Sequence, residues 1–268
     1  MQTLALSDSQ IERLREPIDW QDLDHESPLV TAEKIQRAHQ LGVVGVLFTA
    51  NQVQTRIKEL AVLEHTHRNG AVDQTVYAAV MKGGVPFAAR FFTEIACLSP
   101  NMNPVVDYIQ ATRYGTGQEG RSELSIVRPL DPKTNFSNKR LVMLDDTIDE
   151  GITLELLGKD AQDPERCLEL GSGVSGPASE LGIITLTDKR IADMPTYPHE
   201  SIVRGFWIPN VWAGGNGLDG PNEAMRWIPE FVVTRVQHEK YRDTMPLVLD
   251  ILGERAIFRM NDIHWVSD

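Results

Sequence analysis

The chain contains few of the features that mark secreted or membrane proteins. Its 268 residues include only two cysteines, which disfavours a disulfide framework and is typical of a reducing compartment. No apolar run approaches the roughly 18 residues that a membrane span needs. The first residues also lack the basic start and long apolar stretch of a signal peptide. We therefore expect a cytoplasmic protein with no membrane partner.

Basic residues are in the minority. The chain has 26 Lys and Arg against 38 Asp and Glu, a formal net charge of −12. This balance argues against nucleic-acid binding, which depends on neutralising phosphates. Hydrophobic residues make up 41% of the chain and charged residues 24%, as in globular proteins. In the first half, predicted strands alternate with predicted helices, which indicates an α/β fold.

The most informative stretch covers residues 140–154, RLVMLDDTIDEGITL. Residues 141–144 form a continuous apolar run, typical of a strand covered on both faces. Asp145 and Asp146 follow where this strand should end, then an acidic turn with glycine, then a helix from Ile152. Ligands bind at such strand ends, and a helix start favours phosphate. Because carboxylates suit sugar hydroxyls or a divalent cation, the pattern favours a sugar phosphate; an acidic loop with ordinary capping is the alternative.

A second strand leads through a glycine turn into a helix. Residues 75–80 predict a strand, Met81-Lys82-Gly83-Gly84 a turn, and residues 85–97 a helix. Paired glycines let backbone amides approach an anion closely, and the lysine can neutralise its charge. A plain tight turn is the alternative interpretation of this segment.

Both stretches resemble a known family. LVMLDDTIDEGITL resembles the phosphoribosyl pyrophosphate (PRPP) binding motif of type I phosphoribosyltransferases, and VYAAVMKGGVPFAARF resembles the pyrophosphate-binding loop of the hypoxanthine-guanine phosphoribosyltransferase family. The resemblance implies the type I fold, a mostly parallel twisted sheet flanked by helices with a small hood subdomain. We expect an N-terminal extension over residues 1–45, a core with hood over 46–231, and a C-terminal extension over 232–268.

The resemblance also implies roles for the acidic motif and the glycine turn. Asp149 would be the general base or acid, acting at purine N7, while Asp145 and Asp146 would hold the ribose hydroxyls and Mg²⁺. The rest of the ribose-phosphate site would comprise Thr147, Ile148, Glu150, Gly151, Ile152 and Thr153. Pyrophosphate would be bound by Lys82, Gly83, Gly84 and Arg226. In that family the Lys–Gly peptide can be cis, which the resemblance carries over to Lys82–Gly83.

Two further segments resemble parts of the same family. VDYIQATRYGTGQEG resembles its flexible loop, with Tyr114 at the loop tyrosine and Arg113 where serine is usual. IPNVWAGGNGLD keeps the spacing of its purine-binding segment. This match implies Trp212 as the stacking aromatic, Ala213 as a backbone contact to the base edge and Asp219 as a magnesium-linked carboxylate. Lys189 matches the lysine that donates to the purine 6-oxo group.

The chemistry of Trp212 and Lys189 agrees with the resemblance. A flat base favours an aromatic face, and a 6-oxo group needs a donor. Taken without the resemblance, Trp212 would be a core or surface residue and Lys189 the solvated end of a strand.

The resemblance thus predicts a purine salvage enzyme. It would transfer phosphoribosyl from PRPP to hypoxanthine, guanine or xanthine with Mg²⁺, act as a homo-oligomer (dimer or tetramer), and bind no nucleic acid. Two alternatives remain open: a PRPP-sensing regulator that binds nucleic acid, and a phosphoribosyltransferase for another base, either a pyrimidine or a non-standard purine.

Overall fold

The computed structural model describes residues 6–21, 36, 39–68, 74–100, 104–114, 123–189, 202–219, 225–253 and 256–267. The helices are α1 (Asp8–Arg15), α2 (Ala50–His67), α3 (Gly84–Leu98), α4 (Ile152–Gln162) and α5 (Met245–Leu252). The strands are β1 (Ile18–Asp19), β2 (Val43–Phe48), β3 (Thr75–Val80), β4 (Val105–Tyr114), β5 (Glu123–Arg128), β6 (Arg140–Ile148), β7 (Glu180–Asp188), β8 (Ile202–Trp207), β9 (Ala213–Gly215), β10 (Leu218–Asp219), β11 (Phe231–Thr234), β12 (Val236–His238) and β13 (His264–Val266). Among these described helices, none has both the length and the apolar character needed to cross a membrane.

A seven-stranded main sheet organises the fold. Its strand order is β1-β8-β7-β6-β3-β4-β5. Neighbouring strands are parallel except for the β4–β5 pair, which is antiparallel. The prediction of an α/β protein with a mostly parallel sheet is therefore confirmed.

The apolar run of β6 serves two cores. Val142 and Leu144 pack in one cluster together with residues of α2 and α3. Leu141 and Met143 pack in a second cluster together with residues of α4. Because successive side chains of a strand point to opposite faces, a strand covered on both sides needs apolar residues at every position. The prediction of a doubly covered strand is confirmed.

β6 is longer than the sequence predicts. On the side of β3, its pairing ends at Leu144, opposite Ala79. On the side of β7, it continues to Ile148, opposite Asp188. The expectation that the strand ends before Asp145 was therefore wrong, because pairing with the long β7 holds four more residues extended. The acidic pair thus follows directly after the last residue of β6 that pairs with β3.

A small sheet of four strands lies beside the main sheet. Its order is β10-β9-β11-β2, and all its pairs are antiparallel. Phe48 of β2 and Phe231 of β11 contact Phe206 of β8, so the small sheet shares a core with the main one. β2 and β11 run across the predicted boundaries at 45/46 and 231/232, and the division into three segments stays a prediction.

Candidate active site

The glycine turn after β3 lies directly against the acidic strand β6. A Cβ placed on Gly83 would lie 2.2 Å from Asp146 Oδ1. One placed on Gly84 would lie 2.5 Å from the Leu144 carbonyl oxygen. Side chains at these positions would overlap the neighbouring strand, so glycine permits the close approach of the turn to the acidic pair.

Asp145 and Asp146 are an acidic pair with little access to water. Asp146 is only 8% exposed, and its backbone N–H donates to Asp145 Oδ1 over 2.9 Å. Burial, followed by the charge of Asp146, raises the pKa of Asp145 well above its ordinary value. Burial also raises the pKa of Asp146, although hydrogen bonds and the charge of Arg226 oppose the rise. Ligands that donate hydrogen bonds or bring positive charge would favour the ionised pair.

A cavity of about 100 Å³ lies where β6 leads into α4. It is lined by Asp145, Thr147, Asp149, Glu150, Gly151, Ile152, Thr153 and Leu154. Gly151 precedes α4 with a φ of +74°, a conformation that glycine adopts without strain. Free N–H groups at the start of the helix favour a phosphate. The Ile148 side chain lies in the core, and the role predicted for its backbone amide in this site stays a prediction.

A larger cavity of about 290 Å³ adjoins the first. It is lined by Asp146, Thr147, Asp149, Lys189, Trp212, Ala213, Leu218, Asp219, His238, Lys240 and Tyr241. Lys189 Nζ lies 3.3 Å from Asp149 Oδ2. This contact follows from strand register, because Ile148 of β6 is paired with Asp188 of β7 and the next residue of each strand lies beside the other. Asp149 Oδ1 is buried and has no hydrogen-bond partner among the residues described.

The segment around β9 and β10 of the small sheet carries further residues that the sequence predicts for the site. Trp212 and Ala213 line the larger cavity, and so does Asp219. Arg226 donates to Asp219 Oδ2 over 2.8 Å and to the Gly217 carbonyl oxygen over 2.7 Å. Arg226 thus forms an ion pair at the cavity edge, while its predicted contact with pyrophosphate stays a prediction.

Two predictions for the loops have different outcomes. Arg113 and Tyr114 are the last residues of β4, but their side chains and residues 115–122 lie outside the described part of the chain. The cis peptide carried over to Lys82–Gly83 was wrong, since the cis bond lies one residue earlier, between Met81 and Lys82.

Comparison with known proteins identifies the family. A model of the phosphoribosyl transferase domain matches residues 48–209, more than half of the chain. The chain belongs to the phosphoribosyl transferase domain family. This result confirms the predicted resemblance.

Relatives of this phosphoribosyl transferase domain protein include two curated bacterial enzymes. The hypoxanthine phosphoribosyltransferase of Haemophilus influenzae is 29% identical over 177 residues, which cover 66% of this chain and 87% of the relative. The hypoxanthine-guanine phosphoribosyltransferase of Bacillus subtilis is 26% identical over 177 residues, which cover 65% and 84%.

Solved structures of such enzymes share the fold. A crystal structure of a hypoxanthine-guanine phosphoribosyltransferase from Bacillus anthracis matches with a TM-score of 0.55 at 25% identity, covering 72% of this chain and 98% of that one. A Trypanosoma cruzi hypoxanthine phosphoribosyltransferase matches with a TM-score of 0.58 at 21% identity, covering 72% and 96%. The type I phosphoribosyltransferase fold is therefore confirmed.

Three polar residues of the larger cavity were missed by the sequence analysis. His238, Lys240 and Tyr241 line the larger cavity, yet they lie in the segment 232–268 and beyond the family match, which ends at residue 209. Burial lowers the pKa of Lys240, but the Tyr241 phenol and then the carboxylates of Asp149 and Glu150 raise it to a net value above the ordinary one. No motif marks these residues, because β12 is only three residues long and the turn after it is short.

Proposed function

We propose that this chain is a 6-oxopurine phosphoribosyltransferase of purine salvage. It would transfer phosphoribosyl from PRPP to hypoxanthine, guanine or xanthine, giving the nucleoside monophosphate and pyrophosphate. One observation carries the proposal: the two cavities share Thr147 and Asp149. A ribose phosphate held in the smaller cavity would thus direct its anomeric carbon toward a base in the larger one. The names of the relatives, hypoxanthine and hypoxanthine-guanine phosphoribosyltransferase, support the first two of these bases.

The larger cavity has the chemistry that a 6-oxopurine needs. The indole of Trp212 offers a stacking surface, and the backbone of Ala213 would contact the base edge. Lys189 Nζ donates to Asp149, and a 6-oxo oxygen is an acceptor that would join or replace this carboxylate. A 6-amino group could not accept from Lys189, so adenine should be rejected.

Asp149 is the proposed acid–base residue. As purine N9 forms its bond to the anomeric carbon, the bond to pyrophosphate breaks and pyrophosphate leaves with the electron pair. Asp149 would take the proton from purine N7, and its buried Oδ1 has no partner within the described residues. Positioned proton transfer of this kind typically contributes a factor of about 10²–10⁴.

The remaining groups would hold the phosphates and the ribose. Gly151, Ile152 and Thr153 at the start of α4 would bind the 5′-phosphate with their backbone N–H groups, assisted by the Thr153 hydroxyl. The Lys82 side chain, the Gly83-Gly84 backbone and Arg226 would bind pyrophosphate. Asp145 and Asp146 would accept hydrogen bonds from the ribose hydroxyls, which would favour their ionised forms despite burial.

The donor set fits Mg²⁺ bound through the substrate. Within the described residues no group of three or more His, Cys, Asp and Glu side chains converges as a metal site. Mg²⁺ ordinarily takes one or two carboxylates and completes its shell with water and substrate phosphates. One or two of the carboxylates of Asp145, Asp146 and Asp219 would hold it, and when bound it would neutralise charge on the leaving pyrophosphate.

A base panel tests the proposal. Purified protein with PRPP and Mg²⁺ would be assayed spectrophotometrically against hypoxanthine, guanine, xanthine, adenine and uracil. We expect turnover of oxopurines and none of adenine or uracil. PRPP binding without turnover of any base would instead favour a regulator, and turnover of uracil alone would favour a different substrate class.

The role of Asp149 has its own test. Asp149→Asn should lower kcat with hypoxanthine by about 10²–10⁴-fold. Asp250→Asn, which changes an exposed aspartate of α5, is the matched control and should keep full activity. An Asp149→Asn enzyme with wild-type kcat and an unchanged pH profile would disprove the assignment.

We also propose a cytoplasmic location and a homo-oligomer, a dimer or tetramer, with no nucleic-acid partner. The acidic net charge of −12 supports the last point. Light scattering would test the assembly, and a monomeric mass at assay concentration would refute it.

A further inference from the structure

The segment 236–241, which we call the C-terminal wall, lies behind the two residues assigned to base recognition. It consists of β12 and a short 3-10 turn, Glu239–Tyr241. Three of its residues line the larger cavity. Two of its side chains also contact Trp212 and Lys189 directly, and these contacts suggest what the wall does.

The Gln237 side chain forms hydrogen bonds with both the N–H and the carbonyl group of the Trp212 backbone. The Trp212 N–H donates to Gln237 Oε1 over 2.8 Å, and Gln237 Nε2 donates to the Trp212 carbonyl oxygen over 2.9 Å. Nε2 also donates to the Thr234 carbonyl oxygen over 2.8 Å. Gln237 is fully buried, so its amide is fixed by its own partners. Because Ala213 follows Trp212 in the chain, one clamp positions both base-contacting residues.

Tyr241 supports Lys189 in a similar way. Its ring is buried, and Lys189 Nζ lies 5.3 Å from the ring centroid. An ammonium group at this distance from an aromatic face is attracted by the ring electrons. Lys189 is itself only 8% exposed, and its ammonium group also contacts Asp149. The ring and the carboxylate together restrict where the ammonium group can point.

We propose that the C-terminal wall positions the base-recognition residues, with Gln237 acting on Trp212 and Tyr241 acting on Lys189. The inference rests on the proposed function for the identity of the base. With this role for the C-terminal wall, the affinity for the base, but not the affinity for PRPP, depends on a segment outside the matched family domain. Gln237 and Tyr241 are positioning residues, since each acts through another side chain or backbone.

The kinetic test measures KM for hypoxanthine and for PRPP in variants of Tyr241. Cation–π contacts contribute about 0.5–2 kcal/mol, so Tyr241→Leu should raise KM for hypoxanthine by about 2–30-fold. KM for PRPP should stay within about twofold, because that site is formed by other residues. Tyr241→Phe keeps the ring and should restore the base KM. Equal increases in both KM values, or no rescue by phenylalanine, would overturn the proposal.

A matched control and a second variant guard against a general structural effect. Phe258 also faces a cation, Arg235, at 5.1 Å and is buried, but it lines neither cavity. Phe258→Leu should therefore leave the ratio of the two KM values unchanged. Gln237→Leu should raise the base KM, while a folded Gln237→Leu enzyme with normal base KM would refute the clamp.

A readout without turnover separates this inference from the proposed function. Acetylation of Lys189, followed by mass spectrometry, reports the environment of its ammonium group directly. Tyr241→Leu should raise the rate several-fold, and Tyr241→Phe should not. If wild-type protein uses no oxopurine but this pattern holds, the proposed function fails and the positioning role stands. An unchanged Lys189 rate in Tyr241→Leu would refute the role of Tyr241, whatever the enzyme turns over.

Discussion

Gly217→Ala tests the contact between the small sheet and the glycine turn. Gly217 has a φ of +117°, a conformation that costs a residue with a side chain about 1–3 kcal/mol. A Cβ there would also lie 2.2 Å from the Gly83 carbonyl oxygen and 2.6 Å from Asp146 Cβ. These neighbours cannot rotate away, so relieving the overlap should cost a further 1–3 kcal/mol, roughly the range for overpacked cores. We therefore expect the free energy of unfolding to fall by about 2–6 kcal/mol.

Urea unfolding followed by circular dichroism measures this loss. With a slope of about 2–3 kcal/mol per molar urea, the midpoint should fall by about 1–3 M. Any folded variant should also show a raised KM for PRPP, because the displaced Gly83 belongs to the proposed pyrophosphate site. Gly176→Ala is the control, since among the described residues the nearest atom to its new Cβ would be Ser137 Cβ, at 3.9 Å. A Gly217→Ala protein with the wild-type midpoint and PRPP KM would show that this contact is not formed as described.

Two other substitutions test the charge and the stacking surface of the site. In metal-free protein, Asp145→Asn should raise the free energy of unfolding at pH 7–8, because burial and the charge of Asp146 raise the pKa of Asp145. The native state then favours the protonated carboxyl, so this contribution to stability is complete below the ordinary pKa and is lost as pH rises through the raised one. Thermal melts in EDTA should give separate curves at pH 7–8 and similar ones near pH 3, about one unit below an ordinary aspartate; a less stable variant at pH 7–8 would contradict this. Trp212→Leu should raise KM for hypoxanthine by roughly 5–150-fold, the equivalent of 1–3 kcal/mol of stacking. Trp227→Leu, at a tryptophan that is 75% exposed, should leave it unchanged, and equal effects in steady-state assays would argue against stacking on Trp212.

The elements nearest the chemistry could be predicted because their signals are local. The strand predicted over residues 75–80 coincides with β3, Thr75–Val80. Its β-branched and apolar residues indicate a strand, and the glycine turn that follows marks its end. The smaller cavity is lined almost entirely by consecutive residues of one motif, from Asp145 to Leu154. A site built from one strand, one turn and one helix start can be recognised in the chain itself.

The length of β6 and the pairing of Lys189 with Asp149 could not be predicted in this way. These two residues are 40 positions apart, and their 3.3 Å contact depends on the register between β6 and β7. The resemblance assigned both residues to the site, but it did not show that they form an ion pair with each other. Strand register is set by the packing of both sheet faces, which a local pattern does not contain.

The sequence by itself determined the α/β class, the doubly buried central strand and the acidic strand-to-helix motif, because each depends on residues close together in the chain. Only the tertiary structure decided which residues line the larger cavity. β11 pairs antiparallel with β2 and β9, and the C-terminal wall follows β11 in the chain. In the folded protein Gln237 contacts Trp212, and Tyr241 contacts Lys189. Contacts of this kind join residues far apart along the chain. They arise from burying side chains of several elements together, so no single stretch of sequence carries their signal.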